Sequence, residues 1–123
     1  MNHLISHGAT VLPVSDLPTS LAYYTEKLGF EVTFKWQEPA TYAVLKAGDM
    51  SIHLSQVDPG DEEKIHPTHI YIFVFDVHKL YVHYLKQGVE VVVPLESQEY
   101  GMLDFDVKDP DGHILAFGME AGG

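Results

Sequence analysis

The sequence contains no cysteine. This absence excludes disulfide bonds, zinc sites built from thiolates and cysteine nucleophiles. Chains without disulfides are typical of reducing compartments, and the first residues lack the basic start and apolar core of a secretion signal. We therefore expect a cytoplasmic protein.

Positive charge is also scarce. Lys and Arg number 7 against 18 Asp and Glu, so the formal net charge is -11 with the 8 histidines neutral. A nucleic-acid partner requires a basic face for its phosphates, so none is expected. No apolar run approaches the ~20 residues that cross a bilayer, which argues against a membrane partner. Small molecules and other protein chains remain as partners.

The hydrophobic content, in contrast, is sufficient for a core. The chain has 123 residues, of which 46% are hydrophobic, so it falls at the commonest size of a folded domain. We therefore expect a single domain that spans residues 1–123.

One pattern of helix signals occurs twice along the chain. Asp16 and Asp76 each follow an apolar stretch and stand where an N-cap carboxylate accepts the free backbone N–H groups of a first turn. Gly29 and Gly88 each stand where a helix ends in the left-handed conformation that glycine adopts without penalty. The predicted helices are 18–28 and 78–87.

Strand-like segments surround both helices. An apolar stretch precedes each helix, and the segments that follow are 30–37, 41–47 and 50–57 in the first half and 89–94, 101–107 and 113–119 in the second. The polar segment 58–65 reads as a linker between module one, 4–57, and module two, 66–119. The predicted fold class is therefore α+β, with two βαβββ modules.

These residues resemble a known superfamily. Val14-Ser15-Asp16-Leu17 and the run 109–118, Asp-Pro-Asp-Gly-His-Ile-Leu-Ala-Phe-Gly, are similar to signatures of the vicinal oxygen chelate superfamily, which includes glyoxalase I, extradiol dioxygenases and bleomycin resistance proteins. The segment 100–105 is most similar to the bleomycin resistance branch. The resemblance implies a cup of curled mixed sheets with helices packed outside, and a homodimer with ligand pockets at the subunit interface.

The resemblance also raises the question of a metal ion. Enzymes of this superfamily hold a divalent metal with four side chains, and the matching positions here are Ala9, His53, His69 and Ala116. Alanine has no lone pair, and a catalytic ion normally requires at least three protein ligands. The resemblance therefore implies a metal-independent binding protein without a cofactor. The alternative is a divergent metal-dependent lyase or isomerase of the glyoxalase or dioxygenase type that uses His53 and His69.

Strand parity predicts which side chains face the cup, because successive side chains point to opposite sides of a sheet. In the fifth strand, the face that carries His69, Tyr71 and Phe73 lies opposite the aliphatic face of Ile70, Ile72 and Val74. In the seventh strand, Met102, Asp104 and Asp106 lie opposite Phe105 and Val107. In the second strand, Val32, Phe34 and Trp36 are predicted to share one face.

The candidate ligand-binding residues are Phe34, Trp36, His53, His69, Tyr71, Tyr100, Met102 and Asp104. Aromatic rings with a polar group suit a planar ligand, and the Asp104 carboxylate favours a cationic one. We therefore expect a protein that sequesters a planar, cationic small molecule. A third possibility is an interaction module whose cup is filled by its own side chains.

Overall fold

A computed structural model describes residues 2–122 and contains two four-stranded mixed sheets, one in each half of the chain, which curl without closing. The α+β fold class is therefore confirmed. Met1 and Gly123, the ends of the expected domain, lie outside the described residues. The first sheet contains β1 Thr10–Val14, β2 Glu31–Trp36, β3 Tyr42–Ala47 and β4 Met50–Gln56. The second contains β5 His69–Phe73, β6 Val91–Ser97, β7 Met102–Lys108 and β8 Ile114–Glu120.

Both sheets have the same topology. Their strand orders are β1-β4-β3-β2 and β5-β8-β7-β6, with the pairs β1–β4 and β5–β8 parallel and the other neighbours antiparallel. The first two strands of each half lie at opposite edges of their sheet, so the helix between them must cross one sheet face. That face is consequently buried, and the other face stays open.

The helices begin and end close to the predicted residues. Helix α1, Leu17–Ala22, continues into a π-helical segment, Tyr23–Lys27, and helix α2 comprises Val77–Lys86. The carboxylates of Asp16 and Asp76 accept the backbone N–H groups of Thr19 and Lys79 at 3.2 and 3.1 Å, as predicted for N-caps. Gly29 and Gly88 have φ values of 83° and 74°. No helix within residues 2–122 is long and apolar enough to cross a membrane.

Five of the six strands predicted after the helices match within one residue at each end, and β6 differs most. The sequence predicts a strand over 89–94, but β6 continues through Pro94 to Ser97. Proline is tolerated here because β6 is an edge strand and the missing N–H need not pair. The register of β6 against β7 also shifts between Val93 and Glu96, which marks an irregularity next to that proline.

The parity prediction for β2 is wrong in one position. Val32 pairs with Leu45, whereas Phe34 pairs with Val44 and Trp36 with Tyr42. A bulge between Val32 and Phe34 inserts one residue, so the strand changes the face that it presents. Val32 consequently packs against the buried core, while Phe34 and Trp36 lie on the open face of the first sheet.

The two halves join through a hydrogen-bonded contact between the β7–β8 turn and the start of α1. The ring of His113 is fully buried, with Nδ1 accepting the Thr68 N–H at 2.9 Å and Nε2 donating to the Pro13 carbonyl at 2.8 Å. Asp109 accepts the Tyr24 hydroxyl at 2.8 Å. The sequence indicates a turn at Asp109, but no local pattern predicts this contact. We call it the polar corner.

Candidate functional site

The open face of the second sheet carries most of the predicted site residues. His69 and Tyr71 on β5 pair with Ile114 and Ala116 on β8, and Asp104 on β7 pairs with Gly118. Residues directly opposite in neighbouring strands share one side of the sheet. The buried Leu115 and Phe117 occupy the other side, as the parity of β5 and β7 predicts.

These side chains surround a cavity of about 200 Å³. It is lined by His69, Tyr71, Val93, Glu96, Gln98, Tyr100, Asp104, Asp106 and Ala116. The cavity thus brings together His69, Tyr71, Tyr100 and Asp104 from the predicted set, and it adds Glu96, Gln98 and Asp106, which that set did not include. Pockets for drug-sized ligands have volumes of roughly 300–1,000 Å³, so the cavity on this sheet alone is too small to hold such a molecule completely.

Asp104 is the centre of the cavity. The residue is only 3% exposed, and the hydroxyls of Tyr71 and Tyr100 both donate to its Oδ2, at 2.8 and 2.6 Å. The bond to Asp104 raises the pKa of Tyr100 to about 12, and burial together with the same carboxylate raises the pKa of Tyr71. Both phenols therefore remain donors at neutral pH. Within residues 2–122, Oδ1 of Asp104 has no hydrogen-bond partner and can accept a further donor.

The Tyr71 ring reaches Asp104 by crossing β8 at Gly118. A Cβ atom added at Gly118 would overlap the Tyr71 hydroxyl and lie 2.8 Å from Cβ of Asp104. The strand passes beneath the ring only because glycine has no side chain there. Sequence reasoning missed this role, although a glycine inside a predicted strand is a signal of close approach by another group.

Negative charge predominates in this cavity. Glu96, Asp104 and Asp106 are its acidic residues, and His69 is its basic one. Burial raises the pKa of Asp106, the charge of Asp104 raises it further, and His69 acts in the opposite direction. The arrangement suits a cationic group that donates hydrogen bonds.

The open face of the first sheet holds the remaining aromatic candidates. Phe34 and Trp36 are 52% and 55% exposed. His53 lies on the same face, because it pairs with Val44, and its Nδ1 is 2.7 Å from the hydroxyl of Tyr42. The structure therefore divides the predicted residues between two sheets. Met102 lies on the open face of the second sheet, opposite Glu120, but does not line the cavity.

The donor set does not fit a divalent metal centre. The positions that the resemblance assigns to ligands carry the methyl groups of Ala9 and Ala116, and one nitrogen of His53 is engaged by Tyr42. Among residues 2–122, no group of three or more His, Cys, Asp or Glu side chains is arranged to hold a metal ion.

Comparisons with known proteins agree with the fold. The sequence matches the family described as the Glyoxalase/Bleomycin resistance protein/Dioxygenase superfamily over residues 2–117. It is 30% identical to bleomycin resistance proteins of Geobacillus stearothermophilus and Staphylococcus aureus, with 86% of this chain and 90% of each relative covered.

Solved structures show the same fold. The bleomycin-binding protein from bleomycin-producing Streptomyces verticillus, crystallised with copper(II)-bleomycin, superimposes with a TM-score of 0.75 at 25% identity and covers 97% of this chain and 98% of its own. TioX from Micromonospora sp. ML1 gives a TM-score of 0.80 at 17% identity, covering 94% of this chain and 99% of its own, which shows a common fold.

Proposed function

Because the chain belongs to the glyoxalase/bleomycin resistance protein/dioxygenase superfamily, we propose that it sequesters a planar, cationic small molecule of the bleomycin type. It does so without a metal ion, in a pocket at the interface of a homodimer. The observation that carries the proposal is the buried Asp104 carboxylate, held by two phenols with one oxygen left open in an acidic cavity.

The acidic cavity supports the cationic part of the ligand. A buried carboxylate that already accepts two hydroxyl donors is fixed in position, so it loses little entropy when a ligand binds. Glu96 and Asp106 line the same cavity and add negative charge around the open oxygen. A ligand ammonium or guanidinium group would there replace water as the donor to Oδ1.

The aromatic face of the first sheet supports the planar part and the dimer. Phe34 and Trp36 expose more than half of their surface, and rings of this kind stack on flat ligands. Phe73, which is 76% exposed, adds another exposed aromatic ring at the edge of the second sheet. One open face can cover only one side of a ligand. In a dimer in which the first sheet of one chain lies over the second sheet of the other, the ligand would be enclosed between the two sheets.

Fluorescence of Trp36, the single tryptophan, reports on this binding directly. Titration with metal-free bleomycin is expected to give a saturable change at ligand concentrations below about 100 µM. The substitution Asp104→Asn keeps the side-chain volume and removes the charge, and it should weaken binding about tenfold or more, because hydrogen bonds to charged groups contribute roughly 1.5–3 kcal/mol.

Two controls accompany the titration. Asp58→Asn makes the same change in net charge in the linker and should leave the affinity unchanged. Treatment of the protein with EDTA should also leave it unchanged, because no metal takes part. No fluorescence response at high ligand concentration, or equal affinities of the Asp104→Asn and wild-type proteins, would contradict the proposal.

A further inference from the structure

The duplicated halves meet at two places that the repeat makes equivalent, and these places differ. In the polar corner, the β7–β8 turn contacts the segment that leads from β1 into α1. In the second place, the β3–β4 turn faces the segment that leads from β5 into α2. We call this second place the apolar groove. Its lining includes Phe30, Ala47, Met50, Phe73, Phe75 and Leu80.

The polar corner is closed by side chains that carry hydrogen bonds. Besides the bonds of Asp109 and His113, the carboxylate of Asp111 accepts the Ser15 backbone N–H at 3.1 Å and the buried Ser20 hydroxyl at 3.5 Å. The β7–β8 turn thereby fills the space in front of helix α1.

The apolar groove lacks each of these groups. By strand register, Ala47 stands in the place of Asp109 and Met50 in the place of His113. The loop between them, 48–49, is one residue shorter than 110–112. On the opposite wall, Phe75 and Leu80 replace the two serines.

Tyr84 also differs from its counterpart in the polar corner. Its hydroxyl donates to the Leu28 carbonyl at 2.9 Å, whereas that of Tyr24 reaches across to Asp109. The short β3–β4 turn therefore leaves the second contact unfilled.

The unfilled space is of ligand size. Its volume is about 510 Å³, within the range of roughly 300–1,000 Å³ that small-molecule sites occupy. Leu28, Phe30, Tyr84 and Phe117 are all at most 5% exposed and form a fixed hydrocarbon floor. Phe75 stands fully exposed at the edge.

The charged residues at the rim of the groove favour one class of apolar molecule over others. The charged residues of the lining within the described part of the chain are Asp49 and Asp76, both exposed and both acidic. A second copy of this chain, with a net charge of -11, would offer no charge complementarity to that rim, whereas the dimer proposed above meets through exposed aromatic side chains. A cationic group at the end of an apolar ligand would instead be attracted by both carboxylates.

We propose that the apolar groove is a second ligand site, which takes a small hydrophobic amine with its aryl or alkyl body on the floor and its ammonium group between Asp49 and Asp76. This site is formed between the halves of one chain. Its lining shares Phe73 with the open face of the second sheet but none of the residues around Asp104, and it does not depend on the function proposed for the open faces.

The test uses 1-naphthylmethylammonium as the probe and 1-naphthalenemethanol as its neutral analogue, with methyl NMR of the wild-type protein. The ammonium probe is expected to give saturable shifts at Met50, Ile72 and Leu80. The alcohol should bind about fivefold more weakly, the size expected for a partly exposed charge pair. Equal affinities for the two probes, or shifts confined to the open sheet faces, would overturn the proposal.

Substitutions locate the site. Ala47→Leu fills the groove and should reduce the affinity for both probes at least about tenfold. Asp76→Asn removes the charge, while asparagine still caps α2, so it should weaken only the ammonium probe. Asp49→Asn should act in the same direction. If Ala47→Leu impairs folding, the two asparagine variants still decide the outcome, because unchanged affinity of both for the ammonium probe contradicts the assignment.

Two further measurements distinguish the apolar groove from the cavity around Asp104 and from a contact between copies of the chain. In Asp104→Asn, binding of the ammonium probe to the groove should persist. Loss of this binding would show that the probe and the bleomycin-type ligand use one site. Shifts of the Met50 and Leu80 methyl groups that depend on protein concentration without any probe would show that a second copy occupies the groove. Either result would overturn the proposal.

Discussion

At the scale of single residues, the open face of the second sheet depends on a contact between three strands. The Tyr71 ring extends from β5 over Gly118 in β8 to the Asp104 carboxylate in β7. A methyl group at Gly118 cannot be accommodated by a small adjustment, because it would meet both the ring and the backbone-proximal Cβ of Asp104. The geometry of the cavity therefore depends on a residue that contributes no atom to its lining.

We predict that Gly118→Ala lowers the free energy of unfolding by about 1–3 kcal/mol, the usual effect of overpacking, and displaces Tyr71 from Asp104. Urea denaturation measures the first effect. Gly8→Ala is the matched control, since a Cβ there meets nothing within 4 Å. In a Tyr71→Ala background the cost of Gly118→Ala should fall but not vanish, because the clashing ring is gone while Cβ of Asp104 stays 2.8 Å from the added methyl group. An undiminished cost in the double variant would show that the ring is not its cause.

The raised pKa of Asp106 predicts how the free energy of unfolding depends on pH. Burial raises its pKa, so as pH rises the unfolded chain loses this proton before the folded protein does. Its contribution to stability is therefore present below the ordinary pKa of 3.8 and is lost as pH rises through the raised value. Asp106→Asn should increase the free energy of unfolding at pH 7, and the gain should shrink toward pH 4. Asp58→Asn makes the same change in net charge and should give a smaller gain at pH 7. Equal gains would show that only total charge matters.

At the scale of elements, the β7–β8 turn determines how α1 sits against the second half. His113 uses both ring nitrogens, one for Thr68 immediately before β5 and one for Pro13 near the end of β1. The ring thus links strands from both sheets at one buried point. Tyr23 adds a hydroxyl bond to the Lys108 carbonyl at 3.1 Å, next to the same turn.

We predict that His113→Ala lowers the free energy of unfolding by about 2–5 kcal/mol, because it leaves the half-buried Thr68 N–H and Pro13 carbonyl without their partner and opens a cavity at a fully buried ring. His66→Ala, at an exposed histidine nearby, should change it by less than about 0.5 kcal/mol. Similar losses of stability in the two variants would show that the buried, hydrogen-bonded position of His113 does not account for its effect.

The elements also show what can be predicted from sequence. The caps at Asp16 and Asp76 and the parity of β5 and β7 are correctly predicted because they depend on local backbone geometry. The bulge after Val32 and the extension of β6 past Pro94 could not be predicted, since both depend on the neighbouring strand. The bond of Tyr71 to Asp104 spans 33 residues and that of Asp111 to Ser15 spans 96, so no local pattern encodes them.

At the scale of the whole molecule, the open faces of the sheets predict self-association. Phe34, Trp36 and Phe73 are more than half exposed, and the 200 Å³ cavity is too small for a complete drug-sized ligand. Sedimentation at micromolar concentration should give a species of twice 13.8 kDa. Trp36→Asp should shift the equilibrium toward the monomer, whereas Glu99→Ala, in an exposed turn, should not. A wild-type protein that sediments only at 13.8 kDa would refute the dimer.

The polar corner has a consequence for how the halves recognise each other. Because both halves have the same order of strands and helix, two second halves from different chains could meet through the wrong faces. That pairing would press the Asp111 carboxylate against Phe75 and Leu80, where Ser15 and Ser20 lie in the correct pairing. Burial of a carboxylate against apolar side chains is strongly unfavourable. The unequal contacts therefore favour the correct pairing of the two halves and disfavour misassembly of a chain built from two similar units.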